Sequence, residues 1–283
     1  MAQTKFRFAP SPNGFLHLGH AYSALLNQRL AREYSGALLL RLEDIDAARC
    51  PATLCDAAME DLTWLGLEWD APPVRQSERF VLFNAAQKKL RDDGLLYPCF
   101  CSRGDILRAI AGKDDWPRDP DGSPRYPGTC RALPPDLVAQ RIAATEKHAW
   151  RLDMALAVSR TGPLFWREWS DDGITDIAAD PLVWGDVILA RKDILTSYHV
   201  AVVVDDAAQD ITHVVRGVDL YFATAVHRVL QALLGLPAPT YRHHALVHDT
   251  FGEKLAKSKG SPALRTLRAA GVSAADVRAR LGL

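Results

Sequence analysis

No stretch of this 283-residue chain approaches the roughly 18 consecutive apolar residues that a bilayer-spanning helix requires. Met1 to Gly14 is polar and punctuated by proline, without the apolar h-region of a secretory signal. A cytoplasmic protein with no membrane attachment is therefore expected. The five cysteines, an odd number in a chain read as unsecreted, argue against a disulfide framework and leave metal binding or simple burial as their roles. Net charge is missing too: 34 basic residues oppose 34 acidic ones, so no global basic field draws in a polyanion. A G-x-x-x-x-G-K-[ST] loop is absent, which removes the P-loop as a nucleotide cradle. Repeats and low-complexity tracts are also lacking, and the composition, 48% apolar and 24% charged, is that of an ordinary globular protein.

What is present begins with a βαβ pattern. Thr4 to Phe8 alternates and runs into Ala9-Pro10-Ser11-Pro12-Asn13-Gly14, a strand entering a turn-rich loop. Leu18, Tyr22, Leu25, Leu26 and Leu30 recur at helical spacing, and Gly36 stands where that helix should end. A second strand, Ala37 to Leu42, delivers Glu43 and Asp44 at its tip, so a parallel sheet is expected. Two helices should follow, one with Pro51 as its first residue and stopping at Gly66, one from a Ser77 cap to Gly94. Between Pro98 and Pro135 lie seven prolines and three of the cysteines, which suggests an inserted subdomain. The rhythm resumes with strands near Tyr198–Val204 and Ile211–Val215, then a helix from Asp219 to Leu234 closed by Gly235. From Lys254 onward seven basic residues face one acid, a local excess on which a polyanion could dock unless the segment is simply a solvated tail.

The chemistry is concentrated in two pairs. His17 and His20 open the first predicted helix, where backbone N–H groups and the helix dipole favour an anion. Lys254 and Lys257, also three apart, could neutralise a departing pyrophosphate from a loop that closes over it. Activating a carboxylate with ATP places extra charge on a pentacovalent phosphorus, and two imidazoles can supply the donors it needs. Either pair alone reads equally well as chance or as an exposed helix face. Their order, and the strand-loop-helix around the first, favours adenylation.

Arg7-Phe8-Ala9-Pro10-Ser11-Pro12, His17-Leu18-Gly19-His20, Arg41-Leu42-Glu43-Asp44 and Lys254-Leu255-Ala256-Lys257-Ser258 together resemble the catalytic core of a glutamyl-type class I aminoacyl-tRNA synthetase, with its HIGH and KMSKS motifs. Leu18 stands for the usual Ile, and Leu255 with Ala256 for Met and Ser, which removes a hydroxyl but keeps both lysines. Only 25 residues follow Ser258, whereas glutamyl-tRNA synthetases continue into a helical anticodon-binding region. With the Cys-x-Cys…Tyr-x-x-x-Cys insert, the chain is similar to the glutamyl-queuosine tRNA(Asp) synthetases. That resemblance implies activation of L-glutamate by ATP with Mg2+, then transfer to the queuosine base at the wobble position of tRNA(Asp). It assigns His17, Gly19, His20 and Lys257 to ATP, with His17, His20, Lys254 and Lys257 as the candidate catalytic groups. Arg7, Ser11, Glu43, Tyr198 and Arg216 are assigned to glutamate, Glu43 pairing the α-ammonium while Arg7, Tyr198 and Arg216 share the carboxylates.

In the insert, Cys99 and Cys101 at C-x-C spacing with Cys130 make a plausible zinc site whose fourth ligand the spacing does not give. The family resemblance assigns that place to Tyr126, with one Zn2+ per chain; metal-free buried thiols are the alternative. Trp116 and Tyr126 could stack on bases or pack the insert's own core.

The expected architecture is α/β: a class I synthetase Rossmann-like parallel sheet with a zinc-bearing insertion and a short helical C-terminal tail. Residues 1–97 and 193–240 would form the two halves of the catalytic domain, 98–192 the insert, and 241–283 the KMSKS-like loop and basic tail. A monomer is favoured. The rival readings are a truncated glutamyl-tRNA synthetase charging the 3′ end of tRNA(Glu), a catalytically idle RNA-binding module, and an adenylyltransferase, which would leave Arg7, Glu43 and the insert unexplained.

Overall fold

The computed structural model describes residues 3–247 and 262–283. β1 (Lys5–Phe8) runs through the Pro10-Ser11-Pro12 loop into α1 (Leu18–Glu33). At Gly36 the chain passes so close to the start of β1 that a Cβ there would stand 2.6 Å from the Thr4 carbonyl oxygen. That approach lets β2 (Ala37–Leu42) pair with β1 in parallel from Lys5↔Ala37 to Phe8↔Leu40, which completes the expected βαβ unit. α2 (Ala52–Trp64) follows, with Pro51 just outside it at ψ 155° as the cap rather than the first helical residue. β3 (Val74–Arg75) pairs with β2. The expected cap at Ser77 gives way to a 3-10 turn, because Ser77 directs its N–H and hydroxyl to Asp44, each at 2.9 Å. α3 then spans Phe80–Asp92.

β4 (Leu96–Cys99), α4 (Arg103–Ile110), α5 (Pro135–Ala143), β5 (Ala149–Leu152), α6 (Met154–Thr161), β6 (Phe165–Ser170), β7 (Gly173–Ala178) and β8 (Ile188–Ala190) come next. β4, β5 and β8 form a small antiparallel sheet, whereas the β6–β7 hairpin extends the main one. Residues 98–192 thus supply strands to both sheets. α7 (Tyr198–Ala208), β9 (His213–Gly217), α8 (Ala223–Leu234), closed by Gly235 at φ 69°, and β10 (Thr240–His244) complete the central unit. The strand expected over 198–204 is the main misreading. Val200, Ala201, Val202 and Val203 are all buried where α7 packs against α3 and α8, so the segment carries no polar face to betray its helical period.

Beyond residue 262, α9 (Leu264–Ala269) and α10 (Ala274–Leu281) pack against α2 and α1. Burial of Leu264 and Val277 contributes roughly 1.5–3 kcal/mol each. Arg278 donates to the Leu65 carbonyl at 2.8 Å and to the Gln28 side chain at 3.3 Å, so part of the basic tail is engaged by the domain itself. Among the described residues no helix is long and apolar enough to cross a membrane.

The main sheet has the order β3-β2-β1-β9-β10-β6-β7, parallel throughout except for β7. Strand order reverses between β1 and β9, the point at which open α/β sheets bind ligands beyond their carboxyl ends. Alternation along the strands then decides which side chains gather there. Phe6, Phe8, Leu38, Leu40 and Val215 pack into the core that includes α1 and α2. Their neighbours Arg7, Leu39, Arg41, Val214 and Arg216 therefore face the opposite side, where α7 and α8 lie.

Candidate active site

Three arginines on one face of a parallel sheet are a physical oddity, since such sheets are normally apolar on both faces. Arg41 and Arg7 are compensated. Arg41 lies 2.8 Å from Asp206, 3.5 Å from Glu43 and 3.9 Å from Asp205, and Arg7 lies 3.2 Å from Asp206. Arg79 pairs with Asp205 from the other side. Burial would raise the Asp206 carboxyl, but Arg7 and Arg41 outweigh it and hold the group below its ordinary value. Glu43 goes the other way: burial wins over Arg41 and Arg7, and its carboxyl is raised. It is the anion of this cluster whose desolvation the arginines do not offset.

Arg216 is the converse. It is 5% exposed, and among the described residues no carboxylate lies within ion-pair distance of it. Its Nε–H donates to His243 Nε2 at 3.1 Å, and its two terminal nitrogens to Tyr198 Oη (3.3 Å), His227 Nδ1 (3.3 Å), the Leu220 carbonyl (3.1 Å) and Thr224 Oγ1 (2.7 Å). All five guanidinium donors thus meet neutral acceptors. Burial and the Arg216 charge keep the neighbouring imidazoles neutral: His199 is pushed down to about 4 and His227 well below its ordinary value. The Tyr198 phenol, within electrostatic reach of Arg216, Glu43, Arg7 and Asp206, is pushed up to about 12 by burial and so stays a donor. A cation without its anion and an anion short of a cation, in one cluster, match a small zwitterion that carries an additional carboxylate.

The structure brings Arg7, Glu43, Tyr198 and Arg216 together. Ser11 is placed by its neighbour, since the Pro10 carbonyl accepts the Glu43 N–H at 3.0 Å. Tyr198 opens the helix α7 rather than the strand expected near Tyr198–Val204.

At the start of α1 the histidines act on the backbone as well as on each other. His17 Nδ1 accepts the Gly19 N–H at 3.1 Å, and His20 Nδ1 accepts the His17 N–H at 3.1 Å, with ring centroids 3.9 Å apart. The expected cradle of open N–H groups is therefore changed, because two of those donors are capped by the imidazoles. With both Nδ1 atoms accepting, each neutral ring carries its proton on Nε2 as a donor. Gly19 is needed for this arrangement, since a Cβ there would lie 3.0 Å from His17 Cε1. Lys254 and Lys257 lie outside the described residues, but the flanks are fixed. His244 packs edge-on against Tyr22 of α1, ring centroids 5.1 Å apart, and Ala263 bridges to His17.

The sulfurs of Cys99, Cys101 and Cys130 lie within 4.8 Å of one another, Cys101 and Cys130 at 3.4 Å, and Tyr126 Oη lies 3.5 Å from Cys101 Sγ. Thiolates sharing a tetrahedral zinc at about 2.3 Å would be about 3.8 Å apart, so this set can close on a metal ion with small shifts. Sequence reasoning missed Asp205 and Asp206, hidden at the end of the misread segment, and the supporting trio Glu168, His227 and His243. The one available signal was the Asp pair directly after an apolar run, an unusual place for two carboxylates.

The sequence profile described as tRNA synthetases class I (E and Q), catalytic domain, matches residues 3–276. The chain is similar to a glutamyl-Q tRNA(Asp) synthetase of Rhodobacter capsulatus, 46% identical over 98% of this chain and 99% of that one. It is also similar to a glutamyl-Q tRNA(Asp) synthetase of Symbiobacterium thermophilum, 38% identical over 94% of this chain and 82% of the relative. Among solved structures, the glutamate-tRNA synthetase of Elizabethkingia anophelis superposes with a TM-score of 0.75 at 27% identity, covering 92% of this chain. This chain spans about half, 53%, of that longer protein.

Proposed function

This chain belongs to the glutamyl- and glutaminyl-type class I tRNA synthetases, and from that membership we infer that it joins L-glutamate to the queuosine base of tRNA(Asp), using ATP with Mg2+. The single observation that carries the glutamate assignment is Arg216, buried and hydrogen-bonded only to neutral groups among the described residues. The substrate's side-chain carboxylate supplies the missing anion and accepts the Tyr198 hydroxyl proton. Its ammonium supplies the cation that Glu43 lacks, while Arg7 and the Ser11 hydroxyl hold the α-carboxylate. Glutamine would put an amide against the Arg216 charge, a mismatch of the kind that costs ~10⁴-fold in selectivity.

In the first half-reaction an α-carboxylate oxygen attacks the α-phosphorus of ATP, and the bond to pyrophosphate breaks. The Nε2–H groups of His17 and His20 donate to the phosphoryl oxygens as their charge grows, with Gly19 keeping the approach open. Lys254 and Lys257 neutralise the leaving pyrophosphate. In the second, a nucleophile on the modified base attacks the acyl carbon and AMP departs. In the insert, Cys99, Cys101 and Cys130 as thiolates, with Tyr126, hold one Zn2+, a closed set that gives shape to a proline-rich segment. Elemental analysis of protein purified without chelator tests the metal, and less than ~0.2 zinc per chain refutes it.

The acceptor is tested by supplying labelled glutamate, ATP and tRNA(Asp) with or without queuosine, beside tRNA(Glu). Label should appear only on queuosine-containing tRNA(Asp). Label on tRNA(Glu) alone would establish the 3′-end charging reaction of a glutamyl-tRNA synthetase instead.

A further inference from the structure

The groups that hold Arg216 are themselves held, along a chain of contacts that leads away from the pocket. His243 on β10 accepts the Arg216 Nε–H at its Nε2, 3.1 Å away. An arginine only donates, so this imidazole nitrogen is bare and the ring proton sits on Nδ1. That proton points at Glu168 on β6, both of whose carboxylate oxygens lie 3.0 Å from Nδ1. Glu168 also accepts the His243 backbone N–H at 2.8 Å and the Trp166 indole N–H at 3.0 Å. Burial drives the Glu168 carboxyl upward, yet its bonds to His243 prevail and keep it below its ordinary value. Among the described residues His227, the other imidazole on Arg216, is backed only by His199 at 3.3 Å, a neutral ring. The ionic anchor is therefore on the His243 side alone.

We propose that Glu168 is a positioning residue for the glutamate pocket. By holding the His243 proton on Nδ1, it keeps Nε2 as an acceptor that orients the Arg216 guanidinium without neutralising it. The opposite tautomer would aim an N–H at the Arg216 Nε–H. The guanidinium would then turn, and its bonds to Thr224 and Tyr198 would turn with it. A carboxylate any closer than Glu168 would occupy the place of the ligand's own. One imidazole between the two charges fixes the arginine and still leaves it in need of a ligand anion. This inference rests on the glutamate assignment above.

The test compares Glu168→Ala with Glu168→Gln, because the Gln Oε1 can still accept both protons that His243 sends to the carboxylate, while both variants lose the Trp166 bond alike. In glutamate-dependent pyrophosphate exchange, Glu168→Ala should raise KM by about tenfold or more, the usual loss for a bond in a charged chain, with kcat changed by less than about threefold. Discrimination against glutamine should narrow by a similar factor. Glu168→Gln should stay within about threefold of the parent KM. Equal losses in the two variants would show that the charge matters rather than the tautomer, and an unchanged KM in Glu168→Ala would show that the contact is idle; either overturns the proposal. Imidazole ¹⁵N NMR reads the tautomer directly and does not depend on turnover. The parent and Glu168→Gln should show His243 with a bare Nε2, and a protonated Nε2 in the parent would overturn the proposal even if Glu168→Ala fails to fold. A parent enzyme that activates no glutamate would instead refute the substrate assignment, and the NMR result would still decide the relay.

Discussion

Arg41 and Arg216 are buried on the same face of one sheet and live in opposite surroundings. Arg41, fully buried, is ringed by Asp206, Glu43 and Asp205, and their attraction raises its pKa even though burial acts to lower it. Arg216 is surrounded by imidazoles, hydroxyls and a carbonyl. The Arg41 charge is answered within the protein and reads as scaffold, whereas Arg216 has every donor satisfied yet its charge unanswered. A buried charge compensated within the protein is evidence about folding, and one compensated only in hydrogen bonds is evidence about what the pocket is for.

Substitution should separate the two roles. Arg216→Met should lower glutamate-dependent pyrophosphate exchange by about 10⁴-fold while its melting temperature falls by only a few degrees, because the acceptors left behind are neutral. Comparable losses of activity in Arg216→Met and in a distant surface variant would break the comparison. Arg41→Met should behave in reverse, leaving three carboxylates against fewer cations at a cost of about 3–5 kcal/mol, read as a drop of roughly 10 °C or more in melting temperature. The Glu43 prediction is smaller. Its carboxyl, raised by burial, must be ionised to receive the ammonium, so kcat/KM for glutamate should begin to fall at a pH above that of an ordinary carboxylate. Glu43→Gln should abolish that limb along with most of the activity. An acid limb at an unshifted carboxylate pKa would remove Glu43 from the ammonium site.

Much of this contrast could be read in the sequence. The βαβ start and the imidazole pair are visible because alternation and capping act over a few residues, whereas Arg7 and Arg216 are picked out by the family resemblance. What could not be read is set by contacts distant in sequence. Asp206 is drawn to Arg7 across 199 residues and Glu168 to His243 across 75. Strand order brings those partners together, and no local pattern reports it. The Val200–Val203 run misled for a related reason: a helix buried on all sides presents the same apolar string as a central strand.

Asp61 supplies the mirror image of Arg216, and the smallest effect. It lies on α2 with its side chain 1% exposed, and among the described residues neither carboxylate oxygen has a hydrogen-bond partner and the cation in ion-pair range, Arg268 of α9, is 3.9 Å away. Burial pushes its pKa up to about 6, against the pull of Arg268 and Arg265. A carboxyl raised in the folded state binds its proton more tightly there than in the unfolded chain, so stability should fall as pH rises from about 4 to about 6 and then level off. Above pH 6 the folded protein carries a buried carboxylate that an amide would not. Asp61→Asn should therefore raise stability at pH 8 by about 1–2 kcal/mol, a few degrees in melting temperature, and the gain should shrink towards zero near pH 4. Because α2 and α9 pack together away from the arginine cluster, exchange kinetics at pH 8 should not change. A variant less stable than the parent at pH 8 would mean that Arg268 and Arg265 compensate Asp61 after all, and Arg216 would then be the one buried charge of the pair that awaits a ligand.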